Sequence, residues 1–287
     1  MNFGVWIMRL VIALLSAAAA LVTVGAASAA SVDIKDAVAR VTVVPEDRAD
    51  VKVEIVTRNP KLPLEVRTFG GLTTIDGGLR HRIHDCHHSG GRPEASVWGL
   101  GRVEGDAIPQ VVIRTPRAVA VSANGAVFGS IGRSASVNLQ DSGCSAWSIA
   151  DVAGDAAVRS SGAGSVQLGA TGHLNVHLSG AANIHATHVR QGMESQLSGA
   201  GNIEVQDVAG PVDARVSGIG HIRVAGGHIT TLRASISGIG GVDFGGVADS
   251  LDAGVSGMGS VRVRQVTGQV TKSVSGAGHV TIDQRPS

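Results

Sequence analysis

A Ser-Gly dipeptide recurs at near-constant spacing at Ser142, Ser161, Ser179, Ser198, Ser217, Ser237, Ser256 and Ser275, eight times in steps of 18 to 20 residues. Six of the eight continue as Ser-Gly-x-Gly. A fixed period of this length marks a repeat architecture, in which one unit cannot bury its apolar face alone and neighbours must stack. Five residues after each serine stand Trp147, Val166, Ile184, Ile203, Ile222, Val242, Val261 and Val280. Two further on stand Ile149, Leu168, Ala186, Val205, Val224, Phe244, Val263 and Ile282, and Leu178, Leu197, Val216, Ile236, Val255 and Val274 precede their serines directly. A spacing of two in mostly β-branched residues reads as half-buried strand, and no helical period is sustained. About 19 residues is too short for a propeller blade of ~40–45 residues. The predicted fold is therefore all-β: a single-stack β-solenoid, or β-helix, over 118–287. Ser122, 20 residues before Ser142, marks a weaker first unit.

Composition agrees with a thin core repeated many times. Of 287 residues, 40 are Gly and only 2% are aromatic, while 43% are hydrophobic, so a thick globular core is hard to fill and generic disorder is excluded. Parallel coils ~4.8 Å apart bring equal positions into columns. Glu204, Arg223, Asp243 and Arg262 form one outward column of alternating sign, and Glu194, Asp213, Arg233 and Asp252 form another that alternates only in its latter half. The Gly after each Ser is expected either to adopt positive φ or to let backbone approach closely at a corner.

The first thirty residues read as a secretory leader: Arg9, the apolar run Leu10–Val24, then Ala27-Ser28-Ala29-Ala30 as a small-residue cleavage signature. No Cys follows the apolar run to carry a lipid, and no second run of spanning length exists. Arg9 is the leader's only charge, so the mature chain keeps 23 basic against 23 acidic residues. A neutral chain carries no electrostatic footprint for nucleic acid. Residues 31–117 lack the periodic Ser-Gly anchor but alternate as strands at Val38–Val44, Val51–Val56 and Ile108–Ile113. They are expected to be a β-rich region that runs into the stack and covers its open N-terminal edge.

The recurring Ser-Gly-x-Gly-x-(Ile/Val)-x-(Val/Leu), followed by Val-x-Gly-x-Val, resembles the head-domain family of auto-transporter adhesins, also called the GIN domain. The resemblance covers about 118–283 and implies a bacterial, exported β-solenoid. An auto-transporter needs a C-terminal membrane barrel; this sequence closes on Gln284-Arg285-Pro286-Ser287 directly after the last coil, so export by that route is not expected.

Several residues invite chemistry. Four His and one Cys crowd His81-Arg82-Ile83-His84-Asp85-Cys86-His87-His88. His84, Cys86, His87 and His88 are the candidate ligands, with His84 and Cys86 sharing one face if this is a strand. The bland alternative is a His-rich surface loop. Cys86 has a second possible partner in Cys144, and two cysteines in an exported chain suggest a disulfide. His221 and His279 share a column with two coils between them, and the remaining His are scattered. The eight serines have no recurring base, so a hydrogen-bonded hydroxyl ladder explains them better than nucleophilic catalysis. Gly-x-Gly strings without a following helix are not dinucleotide sites, and no cofactor is implied.

Ile219, Ile239 and Met258 occupy the position two after the anchor in three successive coils, where others mostly hold Ala. They form either an exposed apolar binding stripe or inward corner fillers. The expected function is that of an exported, non-catalytic, adhesin-like binding or structural protein of the envelope, in the periplasm or at the cell surface. Its partner is an envelope or surface component or polymer. The alternative, a polysaccharide-active β-helix enzyme, would need a carboxylate cluster, for which Asp243, Asp249 and Asp252 are the nearest candidates.

Overall fold

A computed structural model describes residues 30–89 and 92–284 and forms a β-solenoid of about nine turns of about 19 residues. The proposed leader, apart from Ala30, lies outside the described residues. Each coil has two main faces. Face A contains strands such as Leu174–Leu178, Met193–Leu197 and Val212–Val216; face B contains Ala181–Val189 and Asn202–Ala209. Face A stacks Leu178, Leu197, Val216, Ile236 and Val255 in parallel register. Face B stacks Ile184, Ile203, Ile222, Val242, Val261 and Val280 likewise. These two inward columns meet across a narrow interior, and Ile203 at its middle is 0% exposed. Each such side chain contributes ~1.5–3 kcal/mol by leaving water, and only stacking makes that burial possible.

The Ser-Gly corner settles which property of glycine is used. A Cβ on Gly143, Gly162, Gly180, Gly199, Gly218, Gly238 or Gly257 would overlap the carbonyl oxygen of the equivalent Gly one coil earlier. None of these seven has positive φ, whereas the corner glycines of the first and last coils, Gly125 and Gly276, do, at 119° and 115°. Close approach of backbone, rather than left-handed conformation, requires the seven.

The serines differ from expectation. Their backbone N–H groups bond the preceding coil, as Ser161 to Asp141 O, Ser198 to Leu178 O and Ser275 to Val255 O. Among the described residues only the Ser142 and Ser256 hydroxyls have partners, the carbonyls of Ala123 and Ile236. Hydroxyls one coil apart are separated by ~4.8 Å, beyond hydrogen-bond reach, so they form no ladder with one another. Ser122 also proves out of phase: it pairs with Gln140. Gly143 stacks on Gly125, which makes Asn124-Gly125 the corner of that coil.

Charge columns follow the register. Arg223 stands 3.9 Å from both Glu204 and Asp243, while Arg262 pairs with Asp283 at 3.0 Å. In the second column the like-charged neighbours Glu194 and Asp213 are bridged by Arg215, at 3.4 and 2.7 Å. Arg215 belongs to a different column, which is why the column's own sequence of signs looked unbalanced.

The N-terminal region enters the stack out of chain order. Its strands are β1 (Ser31–Glu46), β2 (Lys52–Thr57), β3 (Glu65–Phe69), β4 (Leu72–Asp76), β5 (Ile83–Ser89), β6 (Arg92–Val97), β7 (Gly101–Glu104), β8 (Gln110–Pro116) and β9 (Ala118–Ile131). β1 lies parallel between β9 on one side and β4 with β8 on the other. Antiparallel β3 and β2 then cover β4 and β8. Their Lys52, Glu54, Glu65 and Arg67 place charge on strands that would otherwise present a bare edge. Between β4 and β8, at the Ser-Gly corner, the chain makes the antiparallel sheet β5-β6-β7. That sheet has its own small core, Val97, Ala95 and Leu79 against Val38, Ala126 and Phe128 of the solenoid.

Candidate functional site at the Ser-Gly corner

Along face B the odd positions after the anchor serine turn inward and the even ones outward. In the coil of Ser217, Gly220, Ile222 and Val224 are buried while Ile219, His221 and Arg223 are exposed. Strand alternation therefore carries Ile219, Ile239 and Met258 outside, at 65%, 51% and 63% exposure. Ile219 is paired directly with Ile239 across the coils. With a coil spacing of ~4.8 Å the three make a short ridge. Ser217, Gly218 and Gly220, Ser237, Gly238 and Gly240, and Ser256, Gly257 and Gly259 flank it, so no charged residue stands beside it within the corner. The inward alternative would require the opposite parity.

The same column begins at Cys144, followed in register by Ala163 and Ala181. At Cys144 the corner is already occupied, because Cys86 of β5 is joined to it in a disulfide with a Cα–Cα distance of 5.8 Å. Ala146 beside it packs against the small core of the β5-β6-β7 sheet. One end of this edge thus carries an intramolecular interface, and the other carries the exposed ridge.

The candidate metal ligands are not assembled. A bulge between Ile83 and Asp85 breaks the alternation of β5, so Ile83 and Cys86 both turn to the small core while His84 is exposed. The assumption that His84 and Cys86 share a face is thereby corrected. His84 instead rests against the indole of Trp98, with ring centroids 4.8 Å apart, and His87 faces Asp85 at 3.4 Å. The Cys86 sulfur is committed to Cys144, and the His88 side chain lies outside what is described. Among the described residues no three His, Cys, Asp or Glu side chains converge on a metal position.

The carboxylates named for catalysis stand apart. Asp243 faces Arg223, Asp252 faces Arg233 at 3.5 Å, and Asp249 bonds His228 at 2.8 Å. The His228 contact holds the Asp249 carboxyl below its ordinary range. His221 lies over Gly241, where a Cβ would crowd its ring, and remains separated from His279 by the intervening coils. Sequence reading missed Asp141 and Ser160, which occupy the inward position directly before their anchor serines, where later coils hold Leu, Val or Ile. Reading that column through to its first coils would have found them.

Among the described residues no helix is long and apolar enough to cross a membrane. No curated protein matches the sequence. A crystal structure of a protein described as a putative lipid binding protein, from Parabacteroides distasonis ATCC 8503, is similar over 88% of this chain and 92% of that chain, at 15% identity and a TM-score of 0.44. Residues 190–286 match the family described as "Putative auto-transporter adhesin, head GIN domain", the family that the Ser-Gly repeat resembles.

Proposed function

We propose that this protein is an exported, non-catalytic β-solenoid of the cell envelope that acts by binding, with the Ser-Gly corner at Ile219, Ile239 and Met258 as its contact surface. The carrying observation is the exposed ridge itself. Large aliphatic side chains elsewhere in the repeat turn inward, whereas three consecutive coils turn theirs into water on an edge free of charge. Exposed apolar patches of this kind mark interaction sites, and the same edge already supports an interface at Cys144. Export is supported by the leader over 1–30 and by the Cys86–Cys144 disulfide, which suits an oxidising compartment. The division into leader, N-terminal region 31–117 and repeat 118–287 belongs to the same reading, as does a location in the periplasm or at the cell surface.

The test is sedimentation of the purified mature protein with envelope fractions, comparing wild type with the triple variant Ile219→Ser, Ile239→Ser, Met258→Ser. Retention should fall at least tenfold while the melting temperature stays within about 2 °C. Equal retention of the two proteins overturns the contact surface. Turnover of a polysaccharide or ester, abolished by changing a single Asp or Ser, overturns the non-catalytic reading.

A further inference from the structure

The ridge of Ile219, Ile239 and Met258 lies in a strip whose composition is unusual over all eight coils. Strand parity turns four positions of each coil outward around the Ser-Gly corner: two before the anchor serine, the serine itself, and two and four after it. From the coil of Ser142 to that of Ser275, none of these positions holds Asp or Glu. The charge-bearing side chains of the strip are all basic: Arg159, His177, Arg215, His221 and His279. The carboxylates of the repeat stand elsewhere. Glu194, Asp213 and Asp252 lie four before their serines, and Glu204 and Asp243 six after theirs. Asp141, directly before its serine, is turned into the core. Arg215, on the strip, draws Glu194 and Asp213 at 3.4 and 2.7 Å, so the nearest carboxylates on that side are neutralised.

A second copy of the chain is a poor cover for this strip. Ridge against ridge would bury three aliphatic side chains on each partner, far short of the ~800 Å² that each gives up in a stable protein interface. It would also set basic flank against basic flank. A bilayer with phosphate headgroups suits each part. A soft plane accepts a raised edge of about 34 Å, seven steps of ~4.8 Å, without matching its shape in detail. Aliphatic side chains gain by entering the boundary between headgroups and acyl chains. The Ser and Gly beside them are small and uncharged, so they let the ridge approach. Arg and protonated His are drawn to an anionic lipid surface, whereas a carboxylate at the same depth would be repelled. Exclusion of acids from the corner, in a repeat that uses them freely on both faces, answers that requirement.

We propose that the Ser-Gly corner is a membrane-surface contact, in which Ile219, Ile239 and Met258 enter the outer acyl region of a bilayer and the basic side chains of the strip meet lipid phosphates. This rests on the contact surface proposed above and names its partner. The experiment is co-sedimentation of the full mature chain with vesicles of phosphatidylethanolamine and phosphatidylglycerol, free of other protein. Wild type should bind, and the triple ridge variant at least tenfold more weakly. Ser237→Asp keeps the ridge and adds one exposed carboxylate to the strip; it should weaken binding at least threefold. Phe69→Ser removes an aromatic side chain that is 90% exposed outside the strip, and should leave binding unchanged. Absence of vesicle binding overturns the proposal, as does binding that the ridge variant retains or that Phe69→Ser loses equally. Envelope retention that still depends on the ridge, with no vesicle binding or with loss after protease treatment of the envelope fractions, overturns the lipid assignment in favour of a protein or polymer partner and leaves the contact surface standing.

Discussion

The six-membered ring of Trp147 lies against Gly129, its neighbour in the preceding coil, so that a Cβ at 129 would overlap the ring edge at two of its carbons, Cε3 and Cζ3. The largest side chain in the core is accommodated because the coil before it has no side chain there. Gly129→Ala should therefore overpack the stack and cost about 1–3 kcal/mol, read as a clear fall in melting temperature. Gly254→Ala is the control: nothing lies within 4 Å of its added Cβ, and the change should be neutral or stabilise by about 0.4–1 kcal/mol.

Inward and outward positions should differ sharply at adjacent residues. Ile203→Asp places a charge between Ile184 and Ile222 and should cost about 3–5 kcal/mol, comparable to an unpaired buried charge. Glu204→Ala removes only exposed partners, Arg223 and His185, each 3.9 Å away, and should cost under ~1 kcal/mol. Equal shifts in denaturant midpoint for the two would contradict the assigned register.

Asp141 gives stability a pH dependence of definite sign. Burial pushes its carboxyl up to about 6. The folded state thus binds the proton more tightly than the unfolded chain does. Its contribution is complete below about 4 and is lost as pH rises through about 6. The melting temperature should fall across that window by an amount corresponding to about 2–3 kcal/mol. In Asp141→Asn the fall should vanish, and the variant should melt above wild type at pH 7.5. A wild-type profile rising between pH 4 and 6 would exclude this role.

The disulfide should act locally. Cys86→Ser with Cys144→Ser opens a loop with a sequence separation of 58 residues, a change of ~4 kcal/mol in the chain-entropy model. Hydrogen exchange should quicken in β5, β6 and β7, whose core is small, and remain slow in the coils beyond Ser179. Natively purified wild-type protein should show no titratable thiol.

What could be read from sequence was whatever repeats. The columns through Ile203, Val205 and Leu197 follow from a period of two inside a period of about 19, because parallel coils can satisfy that pattern only by stacking in register. The outward course of Ile219, Ile239 and Met258 was available too, since their even spacing from the anchor opposes the odd spacing of Ile222 and Val224. Features without a repeat were hidden. Asn124-Gly125 lacks the serine, so Ser122 attracted the assignment two residues early. The bulge at His84 has no sequence mark that distinguishes it from regular strand. Asp141 was concealed because its column was read only where it was apolar.

The position of β1 bears on how the molecule can be built as it emerges from a ribosome. Ser31 pairs with both Leu72 and Ala120, and Arg40 with both Gln110 and Phe128. Its first long apolar strand is therefore made before either of its neighbours exists, whereas each later coil finds its template already in place one turn behind. Closing such distant pairs is slow, and an unpaired apolar strand invites other chains while it waits. The repeats can assemble in a run, like links added to a chain, yet the rung nearest the start must be among the last to lock. A partner that shields residues 31–46 while the later strands are still being made would act on this molecule at its most vulnerable moment.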